Sequence, residues 1–348
     1  MPLPLSSPPK SICLLRISAI GDICHMLPVI RTLQGHWPQT KITWIIGKTE
    51  YGLVHDITGL EFIVYDKSDG LSAYRRLRQQ VRGRHFDILL HMQMSLRASL
   101  ASLLIPADIR LGFDRRRAND FQWLFTNHRI PHKDKQHVMD SFFEFIQALG
   151  ITERLLEWNI PVPDDIRNEL VSRLPAGPFI VISPCSSMAY RNWTVENYAM
   201  VADYAMERFD LPTVLTGGNR SIEREYGDKI GNHCKHKPLN LIGGTSLKHL
   251  LAVLEKARIV IAPDSGPAHM ATAVHTPVIG LYATTNPDRA RPYLYPELVI
   301  NRYPEAVYAK YGKPVEAVPW GTRVRAADTM ERISVADVTA KLDQVFSR

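Results

Sequence analysis

Apolar residues along this chain gather into short runs separated by longer stretches of helical spacing, and the two kinds of segment alternate. Runs at 11–17, 42–46, 62–65, 86–90 and 110–112 are short, apolar and bounded by polar turns, which predicts buried strands. Helical spacing occupies 23–35, a segment around Tyr51, 71–81 and 95–104. An amphipathic helix over 138–149, with Gly150 as its C-cap, closes this half. Residues 151–178 then break the rhythm with Pro161, Pro163, Pro175 and Pro178 around a short helix. Alternation resumes with strands at 179–183, 212–216, near Leu239, at 258–262 and at 278–282, and helices over 194–208, 222–230 and 247–256. A last helix carries Val335, Val338, Leu342, Val345 and Phe346 on one face. Strands alternating with helices predict an α/β protein of two doubly wound, Rossmann-like domains, with a cleft at the carboxyl ends of their strands where ligands bind. The predicted boundaries are a disordered tail at 1–10, a first domain at 11–155, a linker at 156–178, a second domain at 179–333 and a terminal helix at 334–348.

The most informative stretch is 258–271, which reads as strand, turn and helix. Asp264 and Ser265 suit an N-cap, Gly266 allows close approach of the backbone, and Pro267 suits the first helical turn. A helix end presented by a sheet offers free amides and a partial positive charge, which together suit a phosphate. On that motif alone, a capped helix with a packing glycine is the simpler reading. Three further loops at predicted strand ends change the balance: residues 18–22, 183–193 and 216–223. Ser186 and Ser187 offer hydroxyls and Arg191 a fixed cation, so the loops together point to a nucleotide diphosphate held without a metal. Asp22 is a carboxylate at a helix start, suited to a general base and equally to a plain cap.

Composition narrows the classes. With 45% hydrophobic and 22% charged residues in 348, the chain reads as globular and long enough for two domains. The opening residues lack the pattern of a signal peptide, and no run approaches the roughly 18 apolar residues that a membrane span needs. Cys13, Cys24, Cys185 and Cys234 are scattered, suggesting neither disulfides nor zinc and a cytoplasmic location. The net charge of +7 lies almost wholly in residues 1–150, which carry +6. Arg75, Arg76, Arg78, Arg82, Arg84 and the triplet Arg115, Arg116 and Arg117 supply much of it, implying an anionic partner for that half or a solvated helix face. Neither a dinucleotide glycine pattern nor a P-loop occurs, which disfavours a dehydrogenase or an ATPase. The basic positions lack interleaved aromatics, which disfavours nucleic acid.

Ile20-Gly21-Asp22, Arg191-Asn192-Trp193, Leu215-Thr216-Gly217-Gly218 followed by Glu223, and the run from Asp264 to Ala271 resemble, in that order, the bacterial lipopolysaccharide heptosyltransferases. The resemblance implies a GT-B fold and an inverting, metal-free transfer with no cofactor. The implied donor is ADP-L-glycero-D-manno-heptose, and the implied acceptor is Kdo (3-deoxy-octulosonic acid) on lipid A. Residues 183–187 and Arg191 look most like the branch that adds the first heptose to a phosphorylated Kdo. Carried over by position, Asp22 is the base and Asp264 holds the heptose hydroxyls. Ser186, Ser187, Arg191, Gly217, Gly218, Thr245, Ser265, Gly266 and His269 complete the donor side, while Gly21 joins Arg115, Arg116 and Arg117 on the acceptor side. Glu223 matches the ribose-binding acid with a one-residue shift past Ile222; Arg191 stands where lysine is common, and Asn119 where arginine is sometimes found. The resemblance further implies a monomer, peripheral to the anionic inner face of the inner membrane. The alternatives are heptose transfer to a protein, transfer of another nucleotide sugar, or a non-catalytic nucleotide-sugar-binding module.

Overall fold

A computed structural model describes residues 3–347; Met1, Pro2 and Arg348 lie outside the described residues. The chain divides into two units at Pro161 and Val162, inside the proline-rich stretch.

In the first unit the strands are β1 (Ser11–Leu15), β2 (Lys41–Gly47), β3 (Leu60–Tyr65), β4 (Phe86–His91), β5 (Ala107–Gly112) and β6 (His128–Arg129). The helices are α1 (Ile20–His36), α2 (Lys48–Val54), α3 (Leu71–Gln80), α4 (Leu96–Ser102) and α5 (Val138–Leu149). All the strand pairs are parallel, in the order β3-β2-β1-β4-β5-β6. The order reverses between β1 and β4, so the loops that leave their carboxyl ends diverge and open a place for polar side chains.

Burial explains why these segments become strands. Ile12, Cys13, Leu14 and Leu15 are fully covered, and each such Leu or Ile contributes about 1.5–3 kcal/mol when removed from water. Helix α1 contains Pro28, which cannot donate to the carbonyl of Cys24; the indole Nε1 of Trp158 donates to that oxygen instead, at 2.9 Å. Gly150 ends α5 at φ 108°, in the left-handed region where a side chain is disfavoured. The segment expected to be a free tail is held along its described part. Leu5 N–H donates to Leu149 O at 3.1 Å, Thr40 Oγ1 donates to Pro9 O at 2.7 Å, and Lys10 N–H donates to Asp87 Oδ2 at 2.5 Å.

One buried titratable group in this unit gives a pH test. His91 ends β4 with its ring near Ser99 Oγ (3.3 Å) and Gln122 Nε2 (3.3 Å), and burial, followed by the charges of Arg110 and Arg16, pushes its pKa down to about 3. In the unfolded chain it titrates near its ordinary 6.5, so its contribution is complete above that pH and is lost as pH falls toward 3. The expected slope is about 1.4 kcal/mol per pH unit within that window. Urea unfolding of His91→Gln across the same range should show a shallower loss than the parent; parallel slopes would mean that His91 is not the linked group.

The second unit adds α6 (Asp164–Val171), β7 (Ile180–Ile182), α7 (Val195–Phe209), β8 (Thr213–Leu215), α8 (Ser221–His233), β9 (Leu239–Asn240), α9 (Leu247–Lys256), β10 (Ile259–Pro263), α10 (Gly266–Ala273), β11 (Val278–Tyr282), α11 (Pro287–Ala290), β12 (Ile300–Asn301), α12 (Tyr303–Tyr311) and α13 (Val335–Phe346). Its parallel sheet runs β12-β11-β10-β7-β8-β9, reversing between β10 and β7. Part of the expected linker belongs to this unit, because α6 packs on α9: Arg167 pairs with Glu255, and Glu169 Oε2 lies 3.0 Å from His249 Nε2. Helix α13 also joins this core, with Val338 and Leu342 buried and Tyr204 Oη donating to Asp343 Oδ1 at 2.8 Å. No helix among the described residues is long and apolar enough to cross a membrane.

Candidate active site

At the reversal point of the first sheet, α1 begins at Ile20, so Asp22 occupies the third helical position and not the cap. Asp22 Oδ2 accepts from the Ala19 amide at 3.2 Å and from Arg16 Nη2. Arg16 is buried beneath it; its Nη1 donates to Met92 O at 2.6 Å, and its guanidinium carbon lies 5.1 Å from the Phe142 ring centroid. Gln93, from the loop after β4, accepts from the Ile17 and Ser18 amides at 3.0 and 3.2 Å. The two loops flanking the switch point are thereby tied together. Glu50 of α2 is buried as well, and burial pushes its carboxyl above the ordinary value, opposed by its own backbone amide and then by Lys67 and Arg16. A Cβ on Gly47 would lie 2.4 Å from both Ile17 O and Glu50 Oε2, and the main-chain oxygen cannot move aside, so glycine is needed where this carboxyl packs.

The basic triplet divides on inspection. Arg117, expected to meet an acceptor, is instead bound internally: Nη2 donates to Glu144 Oε2 at 2.6 Å and to Pro131 O at 2.8 Å, while Nε meets Asp114. Arg115 and Arg116 are exposed, the former 4.6 Å over the Trp123 ring. Gly21 lies in the first turn of α1 next to Asp22.

At the reversal point of the second sheet, the loops after β7 and β10 come together. Arg191 Nη1 donates to Asp264 O at 3.0 Å and lies 3.1 Å from Asp264 Oδ2, closing one loop onto the other. Burial opposes ionisation of Asp264, but the His269 ring and the Arg191 charge outweigh it and hold the carboxyl below its ordinary value. His269 Nε2 is 3.9 Å from Asp264 Oδ1. Ser265 is the N-cap of α10, yet its hydroxyl makes no cap bond; its Oγ and the Asn286 Nδ2 are buried atoms without a recorded protein partner. These are donors and acceptors suited to a polar ligand. Thr285, Asn286, Arg289 and the residues 320–323 line the same pocket, and 321–323 continue into a neighbouring depression of about 600 Å³ that also includes Lys310, Tyr311 and Arg325.

The remaining donor-side residues are distributed along the same edge. Ser186 Oγ donates to Met188 O at 2.9 Å, its amide donates to Asn192 Oδ1 at 2.8 Å, and Ser187 beside it is exposed. Glu223 accepts from the Gly218 amide at 3.2 Å and from Arg220 Nε at 3.0 Å, and a Cβ on Gly218 would lie 2.8 Å from its carboxylate. Gly217 follows β8, and Thr245 lies farther out, between β9 and the N-cap Ser246 of α9. The hydroxyls of Ser183 and Thr216 share a 2.5 Å hydrogen bond beneath these loops. Among the described residues no three His, Cys, Asp or Glu side chains converge as a metal-binding group.

With this geometry in view, residues 74–316 match the family model described as glycosyltransferase family 9 (heptosyltransferase). The chain belongs to glycosyltransferase family 9. It is 38% identical over 348 residues to the lipopolysaccharide core heptosyltransferase OpsX of Haemophilus influenzae, covering 99% of both chains. Among solved structures, this family 9 enzyme is similar to a glycosyl transferase family 9 protein from Veillonella parvula (TM-score 0.78, 21% identity, 97% of each chain). It is also similar to E. coli heptosyltransferase WaaC with ADP-2-deoxy-2-fluoro heptose (TM-score 0.72, 17% identity, 96% of this chain and 99% of that one). Both six-stranded sheets are those of the GT-B heptosyltransferases, as the sequence resemblance implied.

Arg16, Glu50, Gln93, Asn286 and Arg289 were not anticipated from the sequence. Arg16 did leave a signal: it is the one charged residue inside the apolar run 11–17. The others carry no local mark, because strand order alone brings them to the switch points.

Proposed function

We propose that this enzyme moves L-glycero-D-manno-heptose from ADP-heptose to Kdo of the lipopolysaccharide inner core, at the anionic inner face of the inner membrane. The observation that carries this reading is the collection of polar groups at the reversal point of each sheet: a carboxylate on one unit, and a largely covered cation-carboxylate pair beside a helix end on the other. Both recorded bonds to Asp22 fall on Oδ2, which leaves Oδ1 of a side chain 25% exposed to take a proton from the acceptor hydroxyl. The freed oxygen bonds to the anomeric carbon from the face opposite ADP, inverting the configuration, while the bond to the diphosphate oxygen breaks and ADP leaves with the electron pair. Arg191, the Ser265 and Gly266 amides and the hydroxyls near Ser186 and Ser187 are suited to stabilise that departing charge. Asp264 and His269 would hold the heptose hydroxyls, and Glu223, with Gly217, Gly218 and Thr245 nearby, the nucleoside. Arg115, Arg116 and Gly21 would face the acceptor. The lipopolysaccharide assignment is supported by the relative in H. influenzae, whose similarity spans both chains.

The test is a product assay with ADP-heptose and truncated Kdo-lipid A, with and without a phosphate on the Kdo, in the presence of excess EDTA. We expect one heptose added to the phosphorylated acceptor, undiminished by the chelator. Arg115→Ser with Arg116→Ser should raise the acceptor KM and leave the ADP-heptose KM unaltered. Absence of transfer to either Kdo acceptor would refute the acceptor assignment, and inactivation by EDTA that Mg²⁺ reverses would refute the metal-free mechanism.

A further inference from the structure

Helix α4 has two unlike faces. Ala98, Ser99, Ala101 and Ser102 are fully buried, whereas Leu96, Leu100 and Leu103 are 52%, 43% and 61% exposed. Their spacing sets the three leucines in one row along the outer surface. The turn at Gln122–Phe125 packs beside this row, and Leu96 N–H donates to Asp120 Oδ2 at 3.1 Å. It adds Phe121 and Leu124, 67% and 62% exposed. Gln122 between them is buried and pins the turn: its Nε2 donates to His91 O at 2.7 Å, and its Oε1 accepts from the Phe113 amide at 3.2 Å. Phe121 is held at φ 54°, a conformation that bulky residues rarely adopt. The fold therefore displays the Phe121 ring and the four leucines from backbone that Gln122 holds in place.

A single exposed leucine needs no explanation; a contiguous group of large apolar side chains marks a surface that meets something. The rim shows what. Arg97, Arg115, Arg116 and Arg129 are all exposed around the ridge, and Arg115 and Arg129 lie 4.6 and 5.9 Å from the ring of Trp123. Tyr74 Oη donates to Arg97 O at 3.2 Å, which brings α3 alongside with its exposed Arg75 and Arg78. The nearby acids are partly engaged: Asp120 accepts from the Leu96 amide, and Asp108 faces His85 at 3.4 Å. An apolar ridge, an indole at its margin and a cationic rim match the acyl boundary, interface and phosphates of an anionic bilayer. A second copy of the chain docking ridge to ridge would set these arginines against one another, which disfavours a self-interface.

We infer that the ridge of Leu96, Leu100, Leu103, Phe121 and Leu124 docks on an anionic membrane, the five side chains entering the acyl boundary while the flanking arginines meet lipid phosphates. This rests on the proposed lipid-borne acceptor and adds the surface by which the enzyme would reach it. The four native cysteines are buried, so a cysteine placed on the surface can be labelled selectively. The full chain carrying Leu124→Cys, and a control carrying Glu225→Cys on α8, would be labelled with an environment-sensitive fluorophore and mixed with phosphatidylcholine vesicles, with or without one-third phosphatidylglycerol. We expect a blue shift at position 124 on the anionic vesicles only, and none at 225. Leu100→Ser, Phe121→Ser and Leu124→Ser combined should weaken sedimentation with anionic vesicles by roughly tenfold or more. A thermal melt would confirm that this variant is folded, and its transfer to a deacylated, water-soluble Kdo acceptor should equal the parent's.

A silent probe at 124 on a protein that still sediments, or parental vesicle binding by the triple variant, would overturn the surface assignment. So would failure of the parent to bind either vesicle. A dimeric parent that the triple variant converts to monomer, without vesicle binding, would make the ridge a protein interface instead. Failure of the Kdo reading is distinguishable, since it would abolish transfer to the soluble acceptor while the vesicle results stand.

Discussion

Asp22→Asn should lower heptosyl transfer by about 10²- to 10⁴-fold, the range that a positioned general base supplies, while leaving ADP affinity within twofold of the parent. Asparagine can keep its oxygen toward Arg16 and the Ala19 amide, the two groups that now bond Oδ2. Its amide nitrogen then occupies the place of Oδ1 and cannot accept a proton. Asp22→Ala is the contrasting variant. It would leave the buried Arg16 guanidinium without its carboxylate and cost about 3 kcal/mol of stability, well beyond the loss from asparagine. A kcat reduced less than tenfold in Asp22→Asn, with donor and acceptor saturating, would remove Asp22 from the role of base.

Arg191→Ala should reduce kcat/KM for ADP-heptose by about 10²- to 10³-fold, because the guanidinium is suited both to meet the diphosphate and to hold the loop after β10. The structural share of that loss can be separated by pH. In the parent, His269 and Arg191 together outweigh the effect of burial on Asp264 and keep its carboxyl ionised below the ordinary range. Without Arg191, burial gains weight, the Asp264 pKa rises, and the acid limb of the kcat/KM profile should move to higher pH. Arg191→Lys keeps a charge but loses the planar fork, and should recover part of the rate and most of the acid limb. An unchanged acid limb in Arg191→Ala would show that the pair does not govern Asp264, and parental activity would remove Arg191 from the donor site.

Much of the architecture was legible from the sequence, because a strand buried on both faces requires an unbroken apolar run, and a helix lying on a sheet requires apolar residues at helical spacing. Both are local demands, so the alternation of elements and the parallel sheets could be read directly. The loops that carry Asp22, Arg191 and Asp264 were legible too, since each follows such a run. Short elements escaped: β12 has only two residues, and α12 carries no clean apolar stripe. The contacts of Leu5, Pro9 and Lys10 have no local mark, because they are bonds to distant parts of the chain, such as Leu5 to Leu149.

What only the tertiary structure decided is the partner of each polar group. Arg115, Arg116 and Arg117 are equivalent in sequence, but the Arg117 guanidinium is the one bound to the side chains of Asp114 and Glu144, because α5 returns to lie against its loop, while Arg116 meets Asp114 only through its main-chain amide. Gln93 meets the amides of Ile17 and Ser18 across 76 and 75 positions only because β4 pairs with β1. The same holds for α4, whose sequence shows helical spacing and whose outer row of leucines is left exposed among the described residues. Periodicity specifies which residues need burial. Strand order specifies which charges meet, and by the same means which apolar face is left at the surface, since those outcomes depend on chain segments too far apart in sequence for any local pattern to record.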